Sequence, residues 1–278
     1  MGGRNTTSGR KPPPTPMPPP MPKPMPAPKP QPKPKPAPKP KPAPATTNLE
    51  LHKMDDATLA SFVQKAASIR LPTGYHGDIT QRLIHAAKWN GKPEVLQANM
   101  VEAAAKQKGA VVLYRTVNNN FSLKITADKI ADDFRGGDSF NTGGHGGQAY
   151  GGGAYFSSSL RGSKAYGCKS YKNQPNTIGA VLNKKAKVVD MSDLYGPVGQ
   201  RWIKKHPATA KQLGFYKDKA GRTRSTYSMG AYTALAMAMG YNVVSNKVST
   251  RETYYTVLDR SALTTSAKNY FPQHRGMK

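Results

Sequence analysis

Few clusters in this 278-residue sequence have side chains that could hold an anion or steady a charge. Between residues 136 and 153 runs GGDSFNTGGHGGQAYGGG, a loop whose backbone amides could cradle phosphate. Runs of glycine are as often plain flexible loops, and His145 within this one reads as exposed and idle. Arg115 stands near the end of AVVLYRTV, where a lone arginine is usually a solvated side chain. Just past the glycines come Tyr155-Phe156 and Ser157-Ser158-Ser159. Adjacent strand residues face opposite ways, so Tyr155 or Phe156 should be core, and the serines could form a strand edge. Glu252 and Tyr254 stand two apart near the last strands, which puts both on one face. The single cysteine, Cys168, has no His in an evident partner motif and reads as a small buried residue or a bystander.

These residues need elements to position them. AVVLYRTV is a strand by its β-branched content, AYFSSS is strand-like, and RGSKAYG looks like the start of a helix. TIGAVL and AKVVDM are further strands, and residues 192–224 read as loop and helix rich in lysine. Ser225 can cap a helix, TYSMGAYTALAMAM, ended by Gly240, with Met229, Met237 and Met239 in its core. YNVVS and TYYTVLD are the last strands expected. Short strands around one or two helices, without regular βαβ alternation, predict an α+β fold. Upstream, residues 50–109 read as a helical cap. Asp55 or Asp56 caps ATLASFVQKAASI, and Gly77-Asp78 precedes ITQRLIHAAKW. Pro93 suits the first turn of PEVLQANMVEAAAKQK, and Gly109 its end.

Composition bounds the partners. Lys and Arg number 42 against 15 Asp and Glu, a formal charge of +27, which speaks for polyanions such as nucleic acid, an acidic protein or an anionic surface. Residues 12–44 hold 19 of the 25 prolines, so neither helix nor sheet can form there. Residues 1–49 therefore read as a disordered Pro/Lys-rich arm of polyproline II character with nine basic residues and no acidic one. It serves as a spacer, a polyanion-gripping arm or a ligand for a proline-recognising domain. Residues 266–278 form a basic tail. One cysteine excludes an intramolecular disulfide and a cysteine-rich zinc site, and no metal is expected. No window approaches eighteen apolar residues, so no transmembrane segment is expected.

Gly151-Gly152-Gly153-Ala154-Tyr155-Phe156, followed by Ser163-Lys164-Ala165-Tyr166, resembles the G-x-G-x-Y-F…S-x-x-Y motif of the ADP-ribosyltransferases. Its spacing is similar to that of the poly(ADP-ribose) polymerase branch, and the segment is closest to bacterial and phage-encoded members. Leu113-Tyr114-Arg115-Thr116 ends a strand where that family places its His or Arg, and residues 239–244 and 254–263 resemble its last strands. The resemblance implies an ADP-ribosyltransferase-like split β-sheet core over residues 110–265, with NAD⁺ as substrate. Arg115 would anchor the adenosine side or the phosphates. The Thr116 backbone and the Ser163 hydroxyl would hold the carboxamide, and Tyr155 and Tyr166 would sandwich the nicotinamide ring.

The pattern departs at the expected catalytic glutamate. Alignment on YYTVLD puts Tyr254 there, with Glu252 two residues earlier. Either Glu252 serves through a shifted register or a bulge, or Tyr254 occupies the site. A second alignment, on clostridial-toxin members, uses Arg115, the strand Ser157-Ser158-Ser159, and Thr250-Arg251-Glu252. Arg115 and Glu252 are common to both. The resemblance thus implies mono-ADP-ribosylation of an acidic protein or a nucleic-acid target by a phage or bacterial effector, in the host cytoplasm or packaged in a virion. The competing expectation is a basic nucleic-acid-associated or virion structural protein on an inactive transferase fold, binding DNA or RNA through its arm and basic surface.

Overall fold

The computed structural model describes residues 49–71, 79–89, 91–117, 127–136, 152–165, 177–226 and 229–267. The proline-rich arm, the glycine loop before Gly152, His145, Tyr166, Cys168 and the end of the basic tail lie outside the described residues.

The chain is mixed α+β. Its main sheet has eight strands in the order β1-β10-β4-β2-β3-β9-β8-β5. These are β1 (Glu94–Leu96), β2 (Val112–Thr116), β3 (Ala154–Ser157), β4 (Thr177–Leu182), β5 (Val188–Asp190), β8 (Val243–Ser249), β9 (Glu252–Val257) and β10 (Leu263–Ser266). Strands β6 (Phe215–Lys217) and β7 (Thr223–Ser225) form a separate hairpin. The helices are α1 (Asp56–Ala67), α2 (Ile79–Ala86), α3 (Ala98–Ala105), α4 (Ala127–Gly136), α5 (Leu160–Ala165), α6 (Met191–Tyr195), α7 (Pro197–Lys205), α8 (Pro207–Gln212) and α9 (Met229–Ala238). Among the described residues no helix is long and apolar enough to cross a membrane.

The middle of the sheet is its weak line. Strand β2 pairs with β4 over five residues and β3 with β9 over four. Between β2 and β3 a single pair faces, Tyr114 with Ser157. The sheet is thus two four-stranded halves joined at a narrow seam.

Apolar cores lie on both sides. One joins α1, α2, α6, α8 and α9 to Val189, Val244 and Leu258. In α9 every residue from Gly230 to Ala238 is buried, as expected of a helix apolar all round. Met237 is in this core, as the sequence indicates, and Met239 packs against it. The second core holds Leu113, Val117, Phe134, Phe156, Ile178, Val257 and Leu263 around α4. Fully burying each such side chain contributes roughly 1.5–3 kcal/mol.

Asp55 caps α1 by accepting from the Thr58 N–H at 2.9 Å. The neighbouring Asp56 caps a different helix: its carboxylate takes the Ala208 and Thr209 N–H groups at the start of α8. Burial alone would raise the Asp56 carboxyl, but the Thr209 and Ala208 hydrogen bonds outweigh it and hold it below its ordinary value.

Several sequence expectations need correction. Pro93 does not open a helix: Glu94–Leu96 is an edge strand lying parallel to β10, and the helix begins at Ala98. Fixed φ at Pro93 suits extended chain as well as a first turn, and sheet pairing decides between them. Ser225 belongs to β7 instead of capping α9, which starts at Met229. TYYTVLD is not the last strand, because Leu263–Ser266 forms β10. Helix α4 and the β6–β7 hairpin were not anticipated. Helices α1 and α2 share a core with α9.

Candidate functional site

The site is built where β3 ends. Alternation along β3 turns Phe156 into the α4 core, its ring 5.9 Å from that of Phe134, and leaves Tyr155 half-buried on the opposite face. Ser157 shares the Tyr155 face. It pairs with Tyr254 on β9, so Glu252 and Tyr254 project to that side as well.

Glu252 carries the side chain that reaches Ser157. The Ser157 hydroxyl donates to Glu252 Oε1 at 2.7 Å, and the Ser159 hydroxyl lies 3.3 Å from the same oxygen. Both serines are fixed in turn. The Ser159 N–H donates to Ser157 Oγ at 2.9 Å, and the Gly162 N–H donates to Ser159 Oγ at 2.9 Å, capping the first turn of α5. Ser158 ties the strands together: its N–H donates to the Thr253 carbonyl, and its hydroxyl accepts from the Thr253 N–H. A register shift between Lys247 and Ser249 on β8, next to the start of β9, brings Ser249 opposite Glu252. Such a bulge bends a strand and re-aims a side chain.

Gly162 closes the cluster from above. A Cβ there would fall 1.3 Å from Glu252 Oε1 and 2.7 Å from Ser157 Oγ, so the carboxylate occupies the space a side chain would need. Sequence reasoning missed this residue. Its only signal was a glycine inside a short helical stretch, where it costs roughly 0.5–1 kcal/mol relative to alanine.

The next residue along α5, Ser163, turns to β2. Its hydroxyl lies 2.8 Å from Thr116 Oγ1, which lies 3.0 Å from Thr177 Oγ1. The expected pair Thr116 and Ser163 is therefore brought together, one residue along from the Glu252 cluster. Among the described residues the carboxylate is met by hydroxyls and not by a cation.

Arg115 stands apart from this group. It alternates with Thr116 on β2 and takes the face of Leu113 and Val117. Its guanidinium is buried 5.9 Å from the Phe134 ring centroid, and Nη1 donates to the Tyr155 carbonyl at 3.2 Å, across the seam between β2 and β3. Arg260, fully buried, approaches the same ring to 5.5 Å and donates to the Phe134 carbonyl. Phe134 thus holds two guanidinium groups against the sheet.

A cavity of about 570 Å³ lies elsewhere. It lies beside β10 and the end of β4, lined by Lys92, Lys108, Lys184, Lys185, Glu94 and Thr264, and shares no residue with the Glu252 cluster. The cluster is the better candidate because it gathers buried and half-buried polar groups that orient one another, whereas the lysines of the cavity are all exposed. Comparison with known proteins finds no matching family model, no matching curated protein and no matching solved structure.

Proposed function

We propose that this chain is a mono-ADP-ribosyltransferase, cleaving NAD⁺ at the nicotinamide–ribose bond and passing ADP-ribose to an acidic protein or a nucleic-acid target in a host cell, and that its split sheet is of the ADP-ribosyltransferase kind. One observation carries the reading: a carboxylate oriented by two hydroxyls, with no cation against it among the described residues, beside a second pair of hydroxyls that joins α5 to β2.

The chemistry suits such a site. The C–N bond to nicotinamide breaks with its electron pair leaving on nicotinamide, and positive charge develops on the ribose as in glycoside cleavage. Glu252 stabilises that cation and a ribose hydroxyl. Ser157 and Ser159 fix the carboxylate without neutralising it, so little reorganisation is needed when charge appears. Thr116 and Ser163 take the carboxamide, and Tyr155 packs against the ring together with Tyr166. The acceptor then attacks the ribose carbon and releases a proton. Tyr254 shares the Glu252 face and borders the reacting sugar. Arg115 acts as a positioning residue in this scheme, clamping β2 to β3 where the sheet is narrowest.

The test is nicotinamide release from NAD⁺ by the full chain, with and without host lysate, beside Glu252→Gln and Arg115→Ala. Lysate-dependent release that falls at least 100-fold in Glu252→Gln is expected. No release above the variants in lysates of several hosts would refute the enzyme. That result would favour a basic binding protein on an inactive fold, the reading that the +27 charge supports.

A further inference from the structure

Residues 191–226 contain eight Lys and Arg against two acidic residues, and none of these takes part in the site above. The β6–β7 hairpin stands on this segment. Phe215 anchors it, buried with its ring 5.0 Å from Tyr232. The next residue, Tyr216, faces away and is 53% exposed. Its cross-strand partner is Arg224, whose side chain is also exposed, so ring and guanidinium share one outer face.

This face is rigid. Asp218 organises it: Oδ1 accepts the Ala220 and Arg222 N–H groups, and Oδ2 accepts Nε of both Arg222 and Arg224, at 2.9 and 3.0 Å. Hydrogen bonding from the Arg222 backbone, then from both guanidinium groups, holds the Asp218 carboxyl below its ordinary value. Only Nε of each arginine is used by Asp218, which leaves the outer edges of both forks exposed. Helix α7 meets the other face of the hairpin: Thr223, which shares the side of Phe215, donates to Gln200 at 2.6 Å.

We infer that the outer face of the β6–β7 hairpin forms a binding surface for single-stranded nucleic acid, with Tyr216 stacking on a base and Arg222, Arg224 and the exposed Lys219 of the turn holding the phosphates. Charge alone would fit any polyanion. An exposed ring paired with a fixed guanidinium favours one whose backbone charges alternate with flat aromatic groups, because every base offers a face for stacking. The surface stands whether or not the Glu252 site turns over NAD⁺, since the two share no residue.

The experiment uses the full chain, a labelled 20-residue oligouridylate and fluorescence anisotropy at several salt concentrations. Heparin and polyglutamate serve as polyanions without bases, and melting curves check the fold. Tyr216→Ala is expected to weaken oligouridylate binding about tenfold and to leave heparin unchanged. Lys219→Ala/Arg222→Ala is expected to weaken both and to lower the slope of log K against log salt by about 1.4, at roughly 0.7 per phosphate contact on a single strand. Unchanged oligouridylate binding in both variants would overturn the inference. So would equal losses for heparin and oligouridylate in Tyr216→Ala, or polyglutamate bound as tightly as oligouridylate, which would mark the partner as an acidic protein.

Discussion

Replacing Gly162 with alanine should disable the site while leaving the fold almost untouched. The added methyl would sit 1.3 Å from Glu252 Oε1 and 2.4 Å from Cδ. Carbon and oxygen need about 3.4 Å, so the carboxylate must retreat by about 2 Å. It is the far end of a flexible side chain, so it moves before the helix does. The retreat loses the Ser157 hydrogen bond to a charged acceptor, which costs roughly 1.5–3 kcal/mol. Alanine in α5 returns roughly 0.5–1 kcal/mol of backbone entropy. The net loss is about 0.5–2.5 kcal/mol, or a few degrees in melting temperature for a unit of this size. Activity should fall much further, because a catalytic group misplaced by about 1 Å already costs about 100-fold.

The assay is nicotinamide release beside thermal melting, on Gly162→Ala, Glu252→Gln and the double variant. Both substitutions act on one carboxylate, so the double variant should be no worse than Glu252→Gln alone. Gly109→Ala is the control. Gly109 also strains a side chain, at φ 81°, but no atom lies within 4 Å of its Cβ position, so it should cost stability without affecting turnover. Wild-type turnover in Gly162→Ala with an intact melt would refute the placement of Glu252 at the reacting centre.

Phe134→Leu should cost about 2–4 kcal/mol in chemical denaturation, since it removes an edge-to-face contact with Phe156 and the face on which Arg115 and Arg260 lie. Turnover should fall with it, because Arg115 then loses its hold on the seam; a stable but fully active Phe134→Leu protein would deny Arg115 that role. Asp56→Ala should cost about 1–3 kcal/mol at pH 7, as the Ala208 and Thr209 N–H groups lose their acceptor. The Asp56 carboxyl is depressed in the folded chain, so its contribution is complete above the ordinary carboxylate pKa and is lost as pH falls through the folded value. Urea midpoints of wild type and Asp56→Ala should therefore converge towards pH 3, and a constant gap down to that pH would show that the cap does not depend on charge.

The α+β class and strands β2, β3, β4, β5, β8 and β9 were legible because their β-branched and aromatic runs are short and bounded by turn residues. Residues 94–96 were not, since Glu-Val-Leu behind a proline fits a first helical turn as well as a strand, and only pairing with a segment some 170 residues later settles it. Leu263–Ser266 was hidden for the same reason: Leu-Thr-Thr-Ser has no period of its own and is a strand by virtue of lying between β1 and β4. At the site, alternation alone put Glu252 and Tyr254 on one face. The sequence could not show which of them meets Ser157, because that depends on the bulge in β8, whose residues Val248 and Ser249 carry no turn signal. Nor could it separate Arg115 from Thr116. Adjacent strand residues take opposite faces, so a motif that names both as ligands leaves open which one lies beside Ser163.

That separation bears on how the site can work in so basic a protein. A carboxylate among 42 cations would ordinarily be drawn into an ion pair, as Asp218 is with Arg222 and Arg224. Glu252 differs: the residues against its carboxylate are small and uncharged, Ser157 and Ser159 by their hydroxyls and Gly162 by its lack of a side chain. Arg115 is held on the other face of the sheet against Phe134. Hydroxyl donors fix a carboxylate's position as firmly as a guanidinium would, but they carry no net charge. The charge of Glu252 is thereby kept for whatever cation the substrate develops. Substituting Ser159 with lysine would test this division directly. A tethered ammonium there should neutralise the carboxylate and abolish nicotinamide release, while loss of the Ser159 cap on α5 costs about 0.5–2 kcal/mol of stability. Full activity in Ser159→Lys would mean that the negative charge of Glu252 is not what the reaction uses.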